Sequence, residues 1–149
     1  MARGNAIEGP GEDHPCGSST SSTSRYLLAI FEVGRDEPRL TAAAVARKLE
    51  VSTPSAHEML GRLEAIGLVE RSPLRLTPDG MSAALVLSTR RRAAQQLAHD
   101  VLGLDDAAAD AESVAFAATL SPVLGRHLVD WAQARRQGRK GDAPGPGAA

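Results

Sequence analysis

The side chains of this chain best suited to chemistry are small polar and cationic groups gathered in one short stretch. They are Ser52, Thr53, Pro54, Ser55, His57, Glu58 and Arg62, followed by Arg71 and Arg75. Hydroxyl, imidazole and carboxylate groups can hydrogen-bond to base edges, and Arg side chains bind backbone phosphates. This set predicts a surface that recognises double-stranded DNA, with bases read by the first residues and phosphates bound by the three arginines.

Enzymatic chemistry has little support in the sequence. There is no Gly-rich phosphate loop, no nucleophile elbow and no paired His/Glu metal motif. A single cysteine, Cys16, excludes an internal disulfide framework and a multi-cysteine zinc site. No apolar run reaches the length of a membrane span, and residues 1–24 lack the apolar core of a secretory signal. We therefore expect a cytoplasmic protein that is not an enzyme and has no membrane partner.

The distribution of charge is more informative than the net charge of −1. Between Arg39 and Arg92 there are nine basic residues and five acidic ones, whereas Ala93 to Trp131 has one Arg and six acidic residues. A basic segment followed by an acidic one fits DNA binding by the first and a different role for the second.

The elements that must position these residues are predominantly helical. Helix caps at Ser22–Ser24, Thr41 and Ser52 or Thr53 precede three apolar patterns with helical spacing, and Gly34 and Gly67 are predicted stops. Two alternating runs, 68–71 and 74–76, flank Ser72-Pro73 and predict a hairpin. The order of helix, helix, short turn, helix and hairpin is typical of a winged helix-turn-helix, whose third helix enters the major groove.

These signals divide the chain into four parts. Residues 1–22 and 135–149 are predicted to be a disordered arm and tail, because they are rich in Gly, Pro, Ser and Ala without apolar periodicity. Residues 23–92 form the winged helix-turn-helix domain, and residues 93–134 a helical dimerisation domain. A long helix over about 77–101 links the two domains, and a last helix runs from Ser121-Pro122 through Trp131. The predicted fold class is mainly α.

The ordered motifs of this region resemble those of the diphtheria toxin repressor family of iron- and manganese-dependent transcriptional regulators. The most specific are Leu76-Thr77-Pro78-Asp79-Gly80 and Gly103-Leu104-Asp105. The earlier matches are Tyr26-Leu27, Ile30-Phe31-Glu32, Val45-Ala46, Leu49-Glu50, Ser52, Pro54, Arg62, Glu64 and Gly67-Leu68-Val69. The resemblance covers nearly three quarters of the chain and implies a homodimer that binds a palindromic operator, usually as a repressor.

The resemblance also implies a metal site, and here the chain departs from the family. The positions of the family's ligands fall on Arg25, Arg91, Gln95, Asp110, Val114, Ala117 and Ala118. Iron and manganese need several carboxylate, imidazole or thiolate donors, and only Asp110 offers one of these. We therefore predict no bound metal or other cofactor, although the family would use Fe²⁺ or Mn²⁺.

Two consequences of this loss remain open. In one, the protein is fixed in a DNA-competent form, with Arg25 supplying a permanent positive charge near the first helix. In the other, small side chains at Ala94, Val114, Ala117 and Ala118 leave a cavity for an organic effector, unless these residues simply pack together in a dimer interface.

The sequence therefore predicts a homodimeric DNA-binding transcriptional regulator without metal sensing. One alternative is a protein-interaction module whose winged helix no longer binds DNA, which the carboxylate of Glu58 on the reading helix would favour because it repels phosphate. Another is a winged-helix regulator of a different family that responds to an organic effector.

Overall fold

A computed structural model of the protein describes residues 16–141, which form six helices and one two-stranded sheet. The elements are α1 (Cys16–Asp36), α2 (Ala42–Leu49), α3 (Thr53–Ala65), β1 (Val69–Arg71), β2 (Leu74–Leu76), α4 (Pro78–Asp100), α5 (Asp106–Thr119) and α6 (Pro122–Gly141). This architecture confirms the mainly α fold class with a winged helix-turn-helix. Over the described residues, no helix is both long and apolar enough to cross a membrane.

Local sequence signals account for the ends of α2 and α3. The hydroxyl of Thr41 accepts a hydrogen bond from the backbone N–H of Ala44, and that of Ser52 accepts one from Ser55, as expected of N-caps. Between these helices, Glu50 adopts the left-handed backbone conformation, with φ of 57°. The chain thereby reverses within a few residues, which sets α3 across α2.

The core of the DNA-binding part lies between α1, α2, α3 and the hairpin. Its buried members come from all of these elements: Tyr26, Ala29, Ile30, Val45, Ala46, Ala56, Leu60, Leu63 and Val69. On α3 the buried residues recur at helical spacing, so one face of the helix is committed to packing and the opposite face is left to solvent.

The Thr-Pro-Asp-Gly motif joins the hairpin to α4. The side chain of Thr77 donates a hydrogen bond to the carbonyl of Gly67 (2.7 Å) and accepts one from the N–H of Gly80 (3.0 Å). A Cβ at position 80 would lie 1.9 Å from the carbonyl oxygen of Leu68, so only glycine allows this approach. The motif therefore has a structural role, which is to fix the wing against the start of the long helix.

Helices α4, α5 and α6 form a second packing unit. One buried cluster consists of Ala93, Ala94, Leu120, Leu128 and Ala132, and Ala98, Ala109, Ser113 and Ala117 are also buried between α4 and α5 or beside them. Asp105 caps α5 through Ala108, and Gly103 supplies the positive φ (70°) that turns the chain before it. Because α4 begins at the wing and ends in this unit, the predicted domain boundary at 92/93 falls inside a continuous helix and remains a prediction.

The predicted limits of the arm and tail need correction where the structure describes them. Helix α1 begins at Cys16, so residues 16–22 of the predicted arm are helical, and α6 continues to Gly141, well beyond Trp131. Helix α1 also ends at Asp36, past the predicted stop at Gly34. In each case a helix anchored by packing is extended by further backbone hydrogen bonds without an apolar pattern. The rest of the predicted arm and tail, 1–15 and 142–149, lies outside the described residues.

Candidate nucleic-acid interface

The candidate reading surface is the solvent face of α3. Its buried face consists of Ala56, Leu60 and Leu63. All of the residues predicted for DNA contact are exposed, namely Ser52, Thr53, Pro54, Ser55, His57, Glu58 and Arg62 on α3 and Arg71 and Arg75 on the hairpin. The structure therefore leaves every one of these side chains accessible to a large ligand. Whether they contact DNA remains a prediction.

The first turn of α3 holds its hydroxyl groups in a defined arrangement. The Ser52 hydroxyl donates to the Ser55 hydroxyl at 2.8 Å and accepts from the Ser55 N–H at 3.2 Å. Ser52 is therefore engaged in capping, and its donor proton is used within the turn. Ser55 is exposed and its hydroxyl proton is not used in this turn, so Ser55 is the better placed of the two to donate to a base.

Two of the predicted phosphate-binding arginines are paired with neighbouring carboxylates. Arg62 donates to Glu58 one turn earlier on α3, with a distance of 2.6 Å, and Nε of Arg75 donates to Glu70 across the hairpin at 2.7 Å. The side chains in both pairs are 45–69% exposed, so water screens the attraction and each pair contributes little to stability. A phosphate could therefore exchange for either carboxylate at small cost.

A groove on the same side of the molecule connects the reading helix to the wing. It encloses about 530 Å³ between the residues before α2, the side of α3 and the hairpin turn. Arg71 lies across it, 3.2 Å from Nδ1 of His57, and Arg39 and Thr41 line the opposite wall. Sequence reasoning counted Arg39 among the basic residues but gave it no role, because only the fold brings it beside His57 and Arg71.

The positions that would hold a metal in the resemblance are occupied by a different arrangement. The guanidinium of Arg91, on α4, donates to Glu32 on α1 and to Asp110 on α5, the latter at 2.6 Å. Glu32 also pairs with Lys48 of α2 at 3.0 Å. Arg91 and Glu32 are only 18% and 23% exposed, so solvent screens the pair between them less than the pairs on α3 and the wing, whereas Asp110 and Lys48 are about half exposed. We call these four residues, Glu32, Lys48, Arg91 and Asp110, the bridge cluster.

The bridge cluster does not suit iron or manganese. Arg91 has no lone pair to offer, and it already neutralises the two carboxylates that could serve as ligands. Across residues 16–141, no group of three His, Cys, Asp or Glu side chains is placed to hold a metal ion. The chemistry of the donors thus disagrees with the family's metal site.

The remaining positions from the resemblance supply no replacement ligands. Arg25 is exposed at the rim of a cavity of about 750 Å³ that the bridge cluster borders, and Val114 lines the same cavity. Gln95 and Ala118 are half-buried, and Ala117 is fully buried. Burial raises the pKa of the Tyr26 hydroxyl, and the neighbouring charge of Arg25 partly offsets that rise. The fixed cation nearest the carboxylates is therefore Arg91, rather than Arg25.

The predicted effector cavity among small side chains does not form as one space. Ala94 and Ala117 are buried, and Val114 borders the cavity beside the bridge cluster. Ala94 instead borders a separate apolar cleft of about 450 Å³, together with Leu97, Leu102, Leu104 and Phe116. The four residues are thus divided between packing and two different cavities, and binding of an organic effector remains a prediction.

Comparison with known proteins identifies the first part of the chain. Residues 19–75 match the family described as "Iron dependent repressor, N-terminal DNA binding domain". The chain is 32% identical over 112 residues to the diphtheria toxin repressor of Corynebacterium glutamicum, which covers 73% of this chain and 49% of that protein. It is 28% identical over 111 residues to the iron-dependent repressor IdeR of Mycobacterium tuberculosis, covering 72% and 48%. The chain thus spans about half the length of the curated relatives it matches.

Solved structures share the fold at lower identity. The manganese regulator SloR superposes with a TM-score of 0.67 at 23% identity, covering 74% of this chain and 53% of that one. The hypothetical protein SSo2273 from Sulfolobus solfataricus gives a TM-score of 0.55 at 21% identity, covering 74% and 86%. The resemblance stated from the sequence motifs is confirmed: residues 19–75 match the DNA-binding domain of the iron-dependent repressor family, and the similarity to the diphtheria toxin repressor extends over 112 residues.

Proposed function

We propose that the protein is a sequence-specific DNA-binding transcriptional regulator, acting as a repressor. The observation that carries this is the reading surface itself. The exposed face of α3 begins with Ser52, Ser55 and His57, and the basic wing residue Arg71 adjoins it across a groove. A helix of this kind can enter the major groove N-terminus first, with the wing along the backbone.

The names of the relatives and the charge pattern support this function. The matched relatives are repressors, and the matched family is described as a DNA-binding domain. The segment from Arg39 to Arg92, which contains the reading helix and the wing, has four more basic than acidic residues. That excess favours association with a polyanion even though the whole chain is nearly neutral.

We further propose that the protein acts as a homodimer on a palindromic operator. The helical unit exposes several large apolar side chains, among them Leu102, Phe116, Val123 and Leu124. Exposed apolar groups of this size in one unit are typical of a surface that another protein covers. In a dimer with two-fold symmetry, the apolar surface of each copy would be covered by that of the other. The dimer would then present two reading helices to the two half-sites of an operator.

The direct test is selection of bound fragments from sheared genomic DNA, followed by binding measurements on the recovered sequences. We expect a recurring palindromic sequence, and retention of affinity when a chelator is added. Ser55→Ala should weaken discrimination at one base pair in each half-site by about 1–3 kcal/mol. The control Arg126→Ala changes an exposed residue of α6 and should leave base preference unaltered.

A second candidate function is docking to another protein, with DNA binding lost. The observation that favours it is the pairing of Arg62 with Glu58, which places a carboxylate on the reading face and engages one of its cations. A folded protein that retains no genomic fragment at low salt would support this candidate and overturn the first. Glu58→Gln separates the two in another way, because it should strengthen DNA binding by freeing Arg62 if the surface is a DNA-reading one.

A further inference from the structure

The bridge cluster adds a charged link to the packing of α1 against α4 and α5, which joins the two units. Arg91 comes from α4 and Asp110 from α5, whereas Glu32 comes from α1, whose Tyr26, Ala29 and Ile30 belong to the core of the DNA-binding part. Lys48 adds a contact from α2, the first helix of the helix-turn-helix. One cation thus links the helices that hold the reading helix to the helices of the second unit.

The charges of the cluster show why a cation is needed there. The carboxylates of Glu32 and Asp110 lie on different helices and approach the same guanidinium. Without Arg91, Glu32 would keep only Lys48 of α2 as a partner, Asp110 would lose its partner in this cluster, and the attraction that draws α1 and α5 towards one guanidinium would be replaced by repulsion between two carboxylates. The flat guanidinium of Arg can bind two carboxylates at once, which a single Lys ammonium does less well.

We infer that Arg91 is a built-in substitute for a regulatory divalent cation: through Glu32 and Asp110 it holds α1 against α4 and α5, and so keeps the reading helix in its DNA-binding position without any metal. The inference rests on the proposed function for its regulatory meaning, while the structural bridge stands apart from DNA binding. It follows that neither iron nor manganese should change the stability or the DNA binding of the protein.

The experiment compares the unaltered protein with Arg91→Ala, Glu32→Gln and the double variant, and uses Arg92→Ala as the matched control because Arg92 is the exposed neighbour on the same helix. The thermal midpoint is measured with chelator and with added Mn²⁺. We expect Mn²⁺ to leave the unaltered protein unchanged and Arg91→Ala to lower the midpoint by about 5 °C relative to Arg92→Ala. The thermal midpoint of the double variant should fall by less than the sum of the decreases in the two single variants, because the two residues share one interaction.

The second measurement is affinity for a recovered genomic fragment. Arg91→Ala should weaken binding about tenfold, whereas Arg92→Ala has a smaller effect. Arg91→Lys, which keeps the charge, should recover part of both the midpoint and the affinity. Stabilisation of the unaltered protein by Mn²⁺, or equal midpoints for Arg91→Ala and Arg92→Ala, would overturn the inference. If no variant binds DNA but the midpoints behave as expected, the bridge stands and the proposed function fails.

Discussion

The DNA-binding part and the helical unit are built from different kinds of core. In the first, large side chains such as Ile30, Leu60, Leu63 and Val69 are fully buried. In the second, the buried positions are mostly alanines, and its two leucines, Leu120 and Leu128, retain 8% and 9% exposure. Burial of larger apolar side chains removes more surface from water, so the DNA-binding part is the better stabilised of the two within one chain.

Several large apolar side chains of the helical unit lie on its solvent-exposed surface and not in its core. Leu102 is 65% exposed and Val123 55% exposed. Among the described residues from α1 to the hairpin, Ile66 is the one large apolar side chain that is strongly exposed, whereas the helical unit exposes several. The DNA-binding part therefore buries nearly all of its large apolar side chains within its own core, whereas the helical unit keeps apolar surface available for a partner, which we propose is a second copy.

The largest effect is expected when one large side chain in the core of the DNA-binding part is shortened to alanine. Leu63→Ala should lower the free energy of unfolding by about 2–5 kcal/mol, because Leu63 is fully buried and its removal leaves a cavity. Leu128→Ala should lower the free energy of unfolding by a smaller amount, because the Leu128 side chain is already 9% exposed to water. Denaturant unfolding of both variants measures the difference, and equal losses would remove the contrast between the two cores.

A charge placed on the exposed apolar surface of the helical unit tests whether a second copy covers that surface. Phe116→Glu should raise the dissociation constant of the proposed dimer about 30-fold or more, by desolvating a carboxylate in the interface. Sedimentation equilibrium over a range of concentrations measures it. Ala107→Glu, which adds the same charge at an exposed position on the same helix outside the apolar cleft that Phe116 borders, is the control for a nonspecific effect of charge. Unaltered association of Phe116→Glu would place the dimer surface elsewhere.

A single added methyl group at Gly80 should destabilise the junction between the wing and α4. Gly80→Ala brings a Cβ against the carbonyl of Leu68, and we expect a loss of about 1–3 kcal/mol in the free energy of unfolding. Gly138→Ala is the matched control, because a Cβ there meets no other atom within 4 Å and alanine is favoured in a helix. If thermal unfolding finds both variants equally stable, the junction is less rigid than its geometry indicates.

The smallest effects belong to the exposed arginines of the wing. Arg71→Ala and Arg75→Ala should each weaken binding to all DNA sequences alike and reduce the dependence of affinity on salt by about one counterion. Because both side chains are exposed, stability should hardly change. Affinities measured at several salt concentrations check this. Variants that bind like the unaltered protein at moderate salt would contradict the wing's role.

The sequence allowed much of the fold to be predicted because its helix ends are local. Thr41 and Ser52 cap the helices for which they were candidates, whereas Ser22–Ser24, the predicted cap of the first helix, lie inside α1. The hairpin also forms where alternation predicted it, with Glu70 opposite Arg75. By contrast, the start of α1 and the end of α6 were misplaced, since helix extension beyond a packed segment has little signature in side-chain type.

The candidate site was only partly accessible to sequence reasoning. The exposed face of α3 follows from the spacing of Ala56, Leu60 and Leu63, since the opposite face of a helix is then free. The family motifs place both Arg25 and Arg91 at metal-ligand positions. The sequence-based hypothesis assigned the fixed positive charge to Arg25, and it gave Arg91 no such role. The partners of Arg91 are 59 and 19 residues away in the chain, and no local pattern reports pairs at such separations.

The sequence by itself therefore determined the helices, the wing, the polar reading face and the absence of suitable donors at the family's ligand positions, because each depends on residue type or near-neighbour spacing. Only the tertiary structure decided what stands there instead. Packing of α1 against α4 and α5 brings Glu32 and Asp110 to one guanidinium, and Coulombic attraction to Arg91, which is itself only 18% exposed, then ties α1 to α5.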